Sequence, residues 1–337
     1  MTQYFRPIPS CDPARPNGAM SLAGGWSWFD RVEVLERDTQ PDIIPASNAP
    51  DYALARMTAP RPACGPLEMS NPRLMGILNT TPDSFSDGSR FTEIDTALAH
   101  ARTMLDDGAD LIDIGGESTR PGAEEVAIAE EIARTAPVIE ALAQQDAAFI
   151  SLDTRKAAVA EAGLAAGAGA LNDVSGLRFD PRLAEVAAYS GKPLILMHSI
   201  ETPETMQAAA ETAYSDALLD VYDGLQAAIS TAVAAGVDPN RIIVDPGIGF
   251  GKTEAQNLAL IARLSLFHTL GCPILLGVSR KGFIGRISGE AKADQRGAGS
   301  AAIGLWALAQ GVQILRVHDI KLHRQAIDLW SAANAVQ

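Results

Sequence analysis

The chain has 337 residues, of which 47% are hydrophobic and 20% are charged, and this composition excludes an intrinsically disordered protein. Its formal net charge of −14 argues against nucleic acid and anionic membranes as partners. A site for an anionic small molecule would therefore have to be locally positive, against the charge of the whole chain.

The cysteines and the apolar runs indicate a cellular compartment. Cys11, Cys64 and Cys272 are odd in number and widely spaced, which fits neither a disulfide framework nor a metal motif. No apolar run approaches the roughly 18 residues that span a bilayer. The N-terminal segment lacks the basic-then-apolar order of a signal peptide. These features predict a cytoplasmic protein.

The first 70 residues are rich in proline and show few helical patterns. Residues 26–37 (WSWFDRVEVLER) predict one strand, in which Val32 and Val34 alternate with polar residues. Residues 41–50 and 60–66 predict loops. We expect residues 1–70 to form a partly ordered extension that packs on a domain formed by residues 71–337.

From residue 72 onward, short apolar runs alternate with longer helical patterns. The runs are too uniformly apolar to be half exposed, which is typical of parallel strands buried on both faces. Eight strands are predicted at residues 73–79, 111–114, 149–153, 170–174, 193–198, 242–245, 274–278 and 314–318. Helices are predicted at residues 95–107, 124–143 and 213–235, with a shorter one between Pro181 and Gly191 and a closing one after the last strand.

Eight strand–helix units over about 265 residues predict an α/β fold, a (β/α)8 TIM barrel with an N-terminal extension. A doubly wound open sheet is the competing architecture. It is disfavoured because no G-x-G-x-x-G follows the first strand. The glycine-rich residues 247–251 follow the sixth strand and lack that spacing, and a P-loop is absent.

Polar or charged residues stand at the C-terminal ends of the predicted strands, where the active sites of barrels lie. A single aspartate after a strand is as often an N-cap for the next helix. Eight such ends in register favour a ligand instead, because carboxylates at the edge of apolar strands are costly when unpaired. The residues, in chain order, are Asn79, Asp113, Asp153, Asn172, His198 (with Met197 as an apolar wall), Asp245, Lys281 and Arg316.

The residue types indicate the chemistry of that ligand. Carboxylates and carboxamides accept hydrogen bonds from a flat heterocycle rich in N–H groups, and Lys281 can donate to it. A positive set suits a phosphate ester, and it comprises Arg316, His318, Arg120 and Arg280. Asn79, with an aspartate from the first loop, offers hard oxygen ligands for Mg²⁺.

Eight motifs now carry a family resemblance over about residues 72–334. In order they are MGILNTTPDSFSDG (75–88), DIGGESTRPGA (113–123), SLDT (151–154), LNDVSG (171–176), LMHS (196–199), DPGIGFGK (245–252), GVSRKGFIG (277–285) and RVHD (316–319). The sequence resembles the dihydropteroate synthase family of bacterial folate biosynthesis. Departures occur at Thr80, Ile248 and residues 199–201, and they affect loop details rather than the matched polar positions.

The resemblance implies a role for each matched residue. The pterin pocket comprises Asp113, Asp153, Asn172, Met197, Asp245 and Lys281. The 4-aminobenzoate pocket, with two closing loops, comprises Phe85, Thr119, Arg120, Pro121, Phe250 and Ser279. The pyrophosphate is held by Asn79, Arg316 and His318, and the Mg²⁺ cofactor by Asn79 and Asp87. The catalytic residues are Lys281, Asp153, Arg316 and His318.

The resemblance also implies the reaction. 4-Aminobenzoate displaces pyrophosphate from 6-hydroxymethyl-7,8-dihydropterin pyrophosphate to give dihydropteroate, and sulfonamides compete with 4-aminobenzoate. Family members are often dimers, so pairing of two copies is implied. Two alternatives stay open at this point. One is a methyltransferase of the related pterin-binding barrel type, which uses methyl-tetrahydrofolate and a corrinoid protein. The other is a non-catalytic pterin-binding paralogue.

Overall fold

The computed structural model describes residues 2–80, 90–118, 123–145, 148–200 and 210–335. A parallel barrel begins at residue 73, and the predicted eight strands are all present. Their bounds are β5 (Arg73–Asn79), β6 (Leu111–Gly115), β7 (Ile150–Asp153), β8 (Ala170–Asp173), β9 (Leu194–Met197), β10 (Ile242–Asp245), β11 (Leu275–Leu276) and β12 (Ile314–Val317). The strands follow the order β10–β9–β8–β7–β6–β5–β12–β11 in one sheet.

The sheet closes on itself between β10 and β11. Val244 forms a parallel bridge with Ile274, and its N–H donates to the carbonyl of Pro273 at 3.0 Å. Strands β6 to β10 are buried along their whole length. This burial explains why their sequences are apolar up to the last residue or two. The (β/α)8 barrel is confirmed.

Helices cover the outside of the barrel between the strands. Their bounds are α2 (Arg90–Asp106), α3 (Ile128–Gln145), α4 (Ala157–Ala166), α5 (Arg182–Ser190), α6 (Ala217–Ala234), α7 (Glu254–Ala262), α8 (Gly282–Ser288), α9 (Gly297–Ala309) and α10 (Ile320–Asn334). The ends follow local signals: Asp216 caps α6 by accepting from the N–H groups of Leu218 and Leu219. In the described part of the chain, every helix is too short or too polar to cross a bilayer.

The first 58 residues form a small antiparallel sheet and one helix. The elements are β1 (Tyr4–Ser10), β2 (Met20–Ser21), β3 (Trp28–Leu35), β4 (Asp42–Pro45) and α1 (Asp51–Thr58). The strand predicted at residues 26–37 is confirmed as β3. The loop predicted at residues 41–50 is wrong, because β4 and a 3₁₀ turn (Ala46–Asn48) lie there. Flanking prolines obscured this four-residue edge strand, which only its pairing with β3 defines.

The extension contacts the helices of the barrel on two sides. Trp26 packs edge-on against Trp330 of α10, with ring centroids 6.4 Å apart, and its Nε1 donates to the carbonyl of Leu308 at 2.7 Å. On the other side, Arg37 donates to Asp220 and Asp223 of α6 at 2.6 and 2.7 Å. The division of the chain near residue 70 stays a prediction, as does the description of the extension as partly ordered.

We expect Trp26→Ala to lower the free energy of unfolding by about 2–3 kcal/mol, because it removes an aromatic pair and a hydrogen bond. The matched control is Tyr189→Ala, whose side chain is 98% exposed and should cost less than about 1 kcal/mol. Urea unfolding measures both. Equal losses in the two variants would show that the extension adds no stability through Trp26.

Candidate active site

The C-terminal ends of the barrel strands bring most of the predicted site residues to one mouth. Strand register places neighbouring ends side by side: Gly115 of β6 pairs with Asp153 of β7, Asp153 with Asn172 of β8, and Met197 of β9 with Asp245 of β10. The apolar interior of the barrel lies below them, so each polar side chain is held at the boundary between the core and the mouth.

Arg316 is the centre of this arrangement. Its Nε donates to Asp113 Oδ2 at 2.6 Å, and its Nη2 donates to Asp153 Oδ2 at 2.8 Å. Asn172 adds a third contact, because its Nδ2 donates to the same Asp113 oxygen at 3.0 Å. One guanidinium thus bridges two buried carboxylates that come from β6 and β7.

The two carboxylates carry more negative charge than Arg316 neutralises. Burial, and then the neighbouring Asp113, raises the pKa of Asp153 to about 8, against the opposing effect of Arg316. Asp113 is fully buried, and its Oδ1 has no hydrogen-bond partner among the described residues. The floor of the mouth therefore offers an acceptor and a proton-binding carboxyl to a ligand that carries N–H groups.

Asp245 and Lys281 form the opposite wall. Asp245 Oδ1 accepts from the N–H of Gly247 at 2.7 Å, and burial raises the pKa of this carboxyl while Lys281 lowers it. Burial lowers the pKa of Lys281 to about 8, although Asp245 opposes the shift. The Lys281 ammonium donates to the carbonyl of Ile248 and lies 4.5 Å from the centre of the Phe250 ring. Lys281 and Phe250, predicted to serve different substrates, are thus in contact.

His318 and Ser279 meet at the outer side of the mouth. The Ser279 hydroxyl accepts from the N–H of His318 at 3.1 Å and lies 3.0 Å from its Nδ1. Ser279 was predicted to contact 4-aminobenzoate, and in this structure its hydroxyl orients His318. Arg280 does not join the predicted positive set, because its guanidinium forms a bidentate pair with Asp319.

A buried ionic cluster behind the mouth was not apparent from the sequence. Glu117 accepts from Arg155 at 2.8 Å, and Lys156 reaches Glu131 at 2.8 Å as well as Glu117. All four side chains are at most 8% exposed. The cluster is balanced in charge and fixes the ends of β6 and β7 relative to α3. Charged residues next to polar motif positions gave no separate signal, since their burial depends on the tertiary structure.

Lys252 is another buried residue that the sequence analysis left without a role. It is 3% exposed and lies directly behind the turn between Asp245 and α7. A lysine that follows three glycines and two apolar residues is a visible signal, because such a turn leaves little solvent for an ammonium group.

Five predicted residues lie outside the described part of the chain. They belong to the two loops that the resemblance places over the substrates, and they are Phe85, Asp87, Thr119, Arg120 and Pro121. Their roles stay predictions.

The predicted Mg²⁺ site can be tested only at Asn79. This residue ends β5, is partly exposed and stands beside Gly115 in the register of β5 and β6. Its side-chain oxygen is a hard donor of the kind that Mg²⁺ accepts. Within the described residues, no group of three or more His, Cys, Asp or Glu side chains could hold a metal by itself. The residue present fits an ion that takes most of its ligands from water and a substrate phosphate.

The chain is similar to known pterin-binding enzymes. The family model of pterin-binding enzymes matches residues 75–318, which is more than two thirds of the chain. The dihydropteroate synthase of Bacillus subtilis strain 168 is 47% identical over 248 residues, which cover 74% of this chain and 84% of that protein. The chain belongs to the dihydropteroate synthase family.

Solved structures of dihydropteroate synthases agree with the barrel in detail. That of Xanthomonas albilineans, with 4-aminobenzoic acid, superposes with a TM-score of 0.77 at 44% identity, covering 82% of this chain and 99% of that one. That of Yersinia pestis, in a sulfonamide complex, gives 0.75 at 46% identity over 80% and 97%. As a dihydropteroate synthase family member the chain is a transferase, and the corrinoid methyltransferase alternative is not favoured.

The carboxylate pair predicts a pH dependence of stability. Because the pKa of Asp153 is raised from 3.8 to about 8, its protonated form stabilises the fold below about pH 4, and this contribution is lost as the pH rises through about 8. Asp153→Asn has no such loss. We expect the stability of the variant relative to wild type to increase by about 4 kcal/mol between about pH 5 and pH 9, since each pH unit up to about 8 contributes about 1.4 kcal/mol.

Urea unfolding at several pH values without substrate measures this difference. The control is Asp328→Asn on the exposed face of α10, which should track wild type at every pH. If the Asp153→Asn curve also runs parallel to wild type, burial and Asp113 do not raise the pKa of Asp153.

Proposed function

We propose that the chain joins the amino group of 4-aminobenzoate to the methylene carbon of 6-hydroxymethyl-7,8-dihydropterin pyrophosphate, giving 7,8-dihydropteroate and pyrophosphate. The observation that carries this proposal is the set of buried acceptors and cations at one barrel mouth. Asp113, Asp153, Asn172 and Asp245 supply the acceptors, and Lys281 and Arg316 supply the cations.

The pterin ring suits the inner part of the mouth. Its amino-pyrimidine edge presents adjacent N–H donors, which a carboxylate accepts in parallel. Asp245 has one oxygen occupied by Gly247 and its other oxygen turned toward Gly277 in the mouth. Lys281 is the donor for the ring carbonyl or a ring nitrogen, and Met197, 4% exposed, packs on the ring face. The site is therefore complementary to a flat ring with both donors and acceptors.

The pyrophosphate belongs to the positive side of the mouth. Arg316 and His318 come from the end of β12 and the residue after it, and Ser279 orients the His318 ring. These groups stabilise the charge that develops on the leaving group as the C–O bond breaks. Because Arg316 already pairs with Asp113 and Asp153, binding an anionic substrate against the net charge of −14 also needs the positive charge of the bound Mg²⁺.

The Mg²⁺ ion, when bound, supplies charge neutralisation for the pyrophosphate, and Asn79 with Asp87 would hold it. The chain's own carboxylates act on the other fragment. An electron-rich dihydropterin can bear positive charge at the departing methylene, and Asp245, together with Asp153 in its ionised form, favours that charge electrostatically. The arylamine is a weak base that loses little by acting as a nucleophile, so the site must place it and exclude water rather than deprotonate it first.

The wider setting of the reaction follows from the same features. Three free cysteines support a reducing cytoplasm. The acidic chain supports the absence of nucleic acid and membrane partners. Exposed apolar side chains on consecutive helices, Ile287, Trp306 and Leu329, support pairing of two copies of the chain.

Incubation with both substrates tests the function directly. We expect purified protein to form dihydropteroate and pyrophosphate in equal amounts, detected by mass spectrometry and a phosphate assay after pyrophosphatase. Chelation of Mg²⁺ should lower the rate at least about tenfold, because the leaving-group charge is then balanced by Arg316 and His318 alone.

A sulfonamide should raise the apparent KM for 4-aminobenzoate without changing the maximal rate, as expected for a shared pocket. Folded protein that yields neither product with Mg²⁺ present would refute the proposal. Non-competitive inhibition would leave the reaction standing but would contradict the predicted 4-aminobenzoate pocket.

A further inference from the structure

The turn between β10 and α7, residues 246–252, forms one wall of the mouth and is held by side chains at several points. Asp245 accepts from the N–H of Gly247, and Asn257 accepts from the N–H of Gly249, both at 2.7 Å. Gly247 and Gly249 have φ angles of +66° and +84°. Because glycine can adopt many backbone conformations, other contacts must hold these two residues in the conformation observed.

Lys252 holds the turn in this conformation from its buried side. Its ammonium donates to the carbonyls of Gly247 at 2.8 Å and Phe250 at 3.0 Å within the turn, and to that of His198 at 3.2 Å after β9. Three carbonyl acceptors match the three N–H donors of a protonated amine. Among the described residues Lys252 has no carboxylate within ion-pair distance, and the Tyr214 ring covers it at 5.9 Å.

The charged form of Lys252 is held at a cost. Burial lowers the pKa of Lys252 well below its ordinary value, and the positive charge of Lys281 adds to this, while Asp245 opposes it. A buried cation held only by carbonyl dipoles is an expensive way to stabilise a fold. Without it, however, the carbonyls of Phe250 and His198 would lose this donor, the carbonyl of Gly247 would keep only the N–H of Phe250 at 3.1 Å, and the turn would rearrange.

The shape of this turn determines where Lys281 lies. The Lys281 ammonium donates to the carbonyl of Ile248 and sits 4.5 Å from the Phe250 ring. The contact is close along the side chain as well, since a Cβ placed on Gly249 would come within 3.1 Å of Lys281 Cδ. Ile248 lies between the two turn residues whose carbonyls Lys252 binds, and Phe250 is one of those two residues.

We propose that Lys252 is a positioning residue for the transfer reaction. By holding the carbonyls of Gly247, Phe250 and His198, it fixes the turn that presents the Ile248 carbonyl and the Phe250 ring to Lys281. It touches neither substrate. The proposal rests on the proposed function, in which Lys281 contacts the pterin.

Lys252→Met tests the idea, because methionine fills the same space and removes all three donors. We expect the dissociation constant for dihydropterin pyrophosphate, measured by calorimetry without 4-aminobenzoate, to rise at least about tenfold. Turnover should fall by a similar factor. The control is Lys192→Met, the same change at an exposed lysine before β9, which should stay within about twofold of wild type.

A double-mutant cycle with Lys281→Ala separates positioning from general damage. If Lys252 acts through Lys281, its substitution should cost little pterin affinity, less than about threefold, once Lys281 is already alanine. Additive losses in the cycle would overturn the proposal, because they would mean that Lys252 acts independently of Lys281. Unchanged pterin affinity in folded Lys252→Met would overturn it as well.

If Lys252→Met fails to fold, Lys252→Gln takes its place in the same cycle, because the glutamine amide keeps two N–H donors. A smaller loss of pterin affinity in Lys252→Gln, which again vanishes when Lys281 is alanine, supports the proposal. Binding also separates this proposal from the parent function. Wild-type protein that binds the pterin but forms no product would refute the proposed reaction, whereas the cycle would still decide the role of Lys252.

Discussion

A single guanidinium between two buried carboxylates is the constraint on which the mouth of this barrel depends. Asp113 lies within β6 and Asp153 ends the adjacent β7; both lie too deep to be solvated, and Arg316 bonds to both. Burial raises the pKa of Asp153 to about 8, and the neighbouring Asp113 adds to the shift because one positive charge cannot fully neutralise two negative ones. Holding these carboxyl groups together costs stability, and a ligand that donates N–H groups to their oxygens offsets the cost. Binding and stability are in opposition here, which is common where a site is organised before its substrate arrives.

Other buried polar groups, which do not face the ligand, hold the backbone around these two carboxylates in place. The cluster of Glu117, Glu131, Arg155 and Lys156 fixes the strands that carry the two aspartates. Lys252 holds the turn on the opposite wall. Burying such charged groups costs desolvation energy. Each of them lies where it restricts the backbone of the mouth to one conformation. The extension is remote from these contacts and reaches the barrel through Trp26 and Arg37.

The sequence was sufficient to predict the barrel and the polar residues at its mouth, and the physical reason is local. A strand buried on both faces must be apolar until its last residue, so Asp113 or Asp245 at the end of such a run is conspicuous. The partners of a charge were not predictable in the same way. Nothing in the local pattern indicates that Arg316 bridges two strands that are distant in sequence, or that Arg280 turns away to Asp319. Strand β4 was missed because its four residues show no alternation and exist only by pairing with β3. The Glu117 cluster was missed because burial of a charge is a property of the tertiary structure, whereas the position of Lys252 after a glycine-rich turn could have indicated its burial from the sequence.

The central claim is that the pterin ring is bound by carboxylates at the strand ends, while Arg316 and His318 bind the pyrophosphate. Calorimetric titration of Asp245→Asn with dihydropterin pyrophosphate and with pyrophosphate alone tests both halves at once. Loss of one partner of a buried charged bond is expected to cost about 2–5 kcal/mol, which weakens binding of the pterin substrate at least about thirtyfold. The affinity for pyrophosphate should stay within about twofold of wild type, because Asp245 does not contact that group in this account. Wild-type affinity for the pterin substrate in folded Asp245→Asn would contradict the assignment of the pocket.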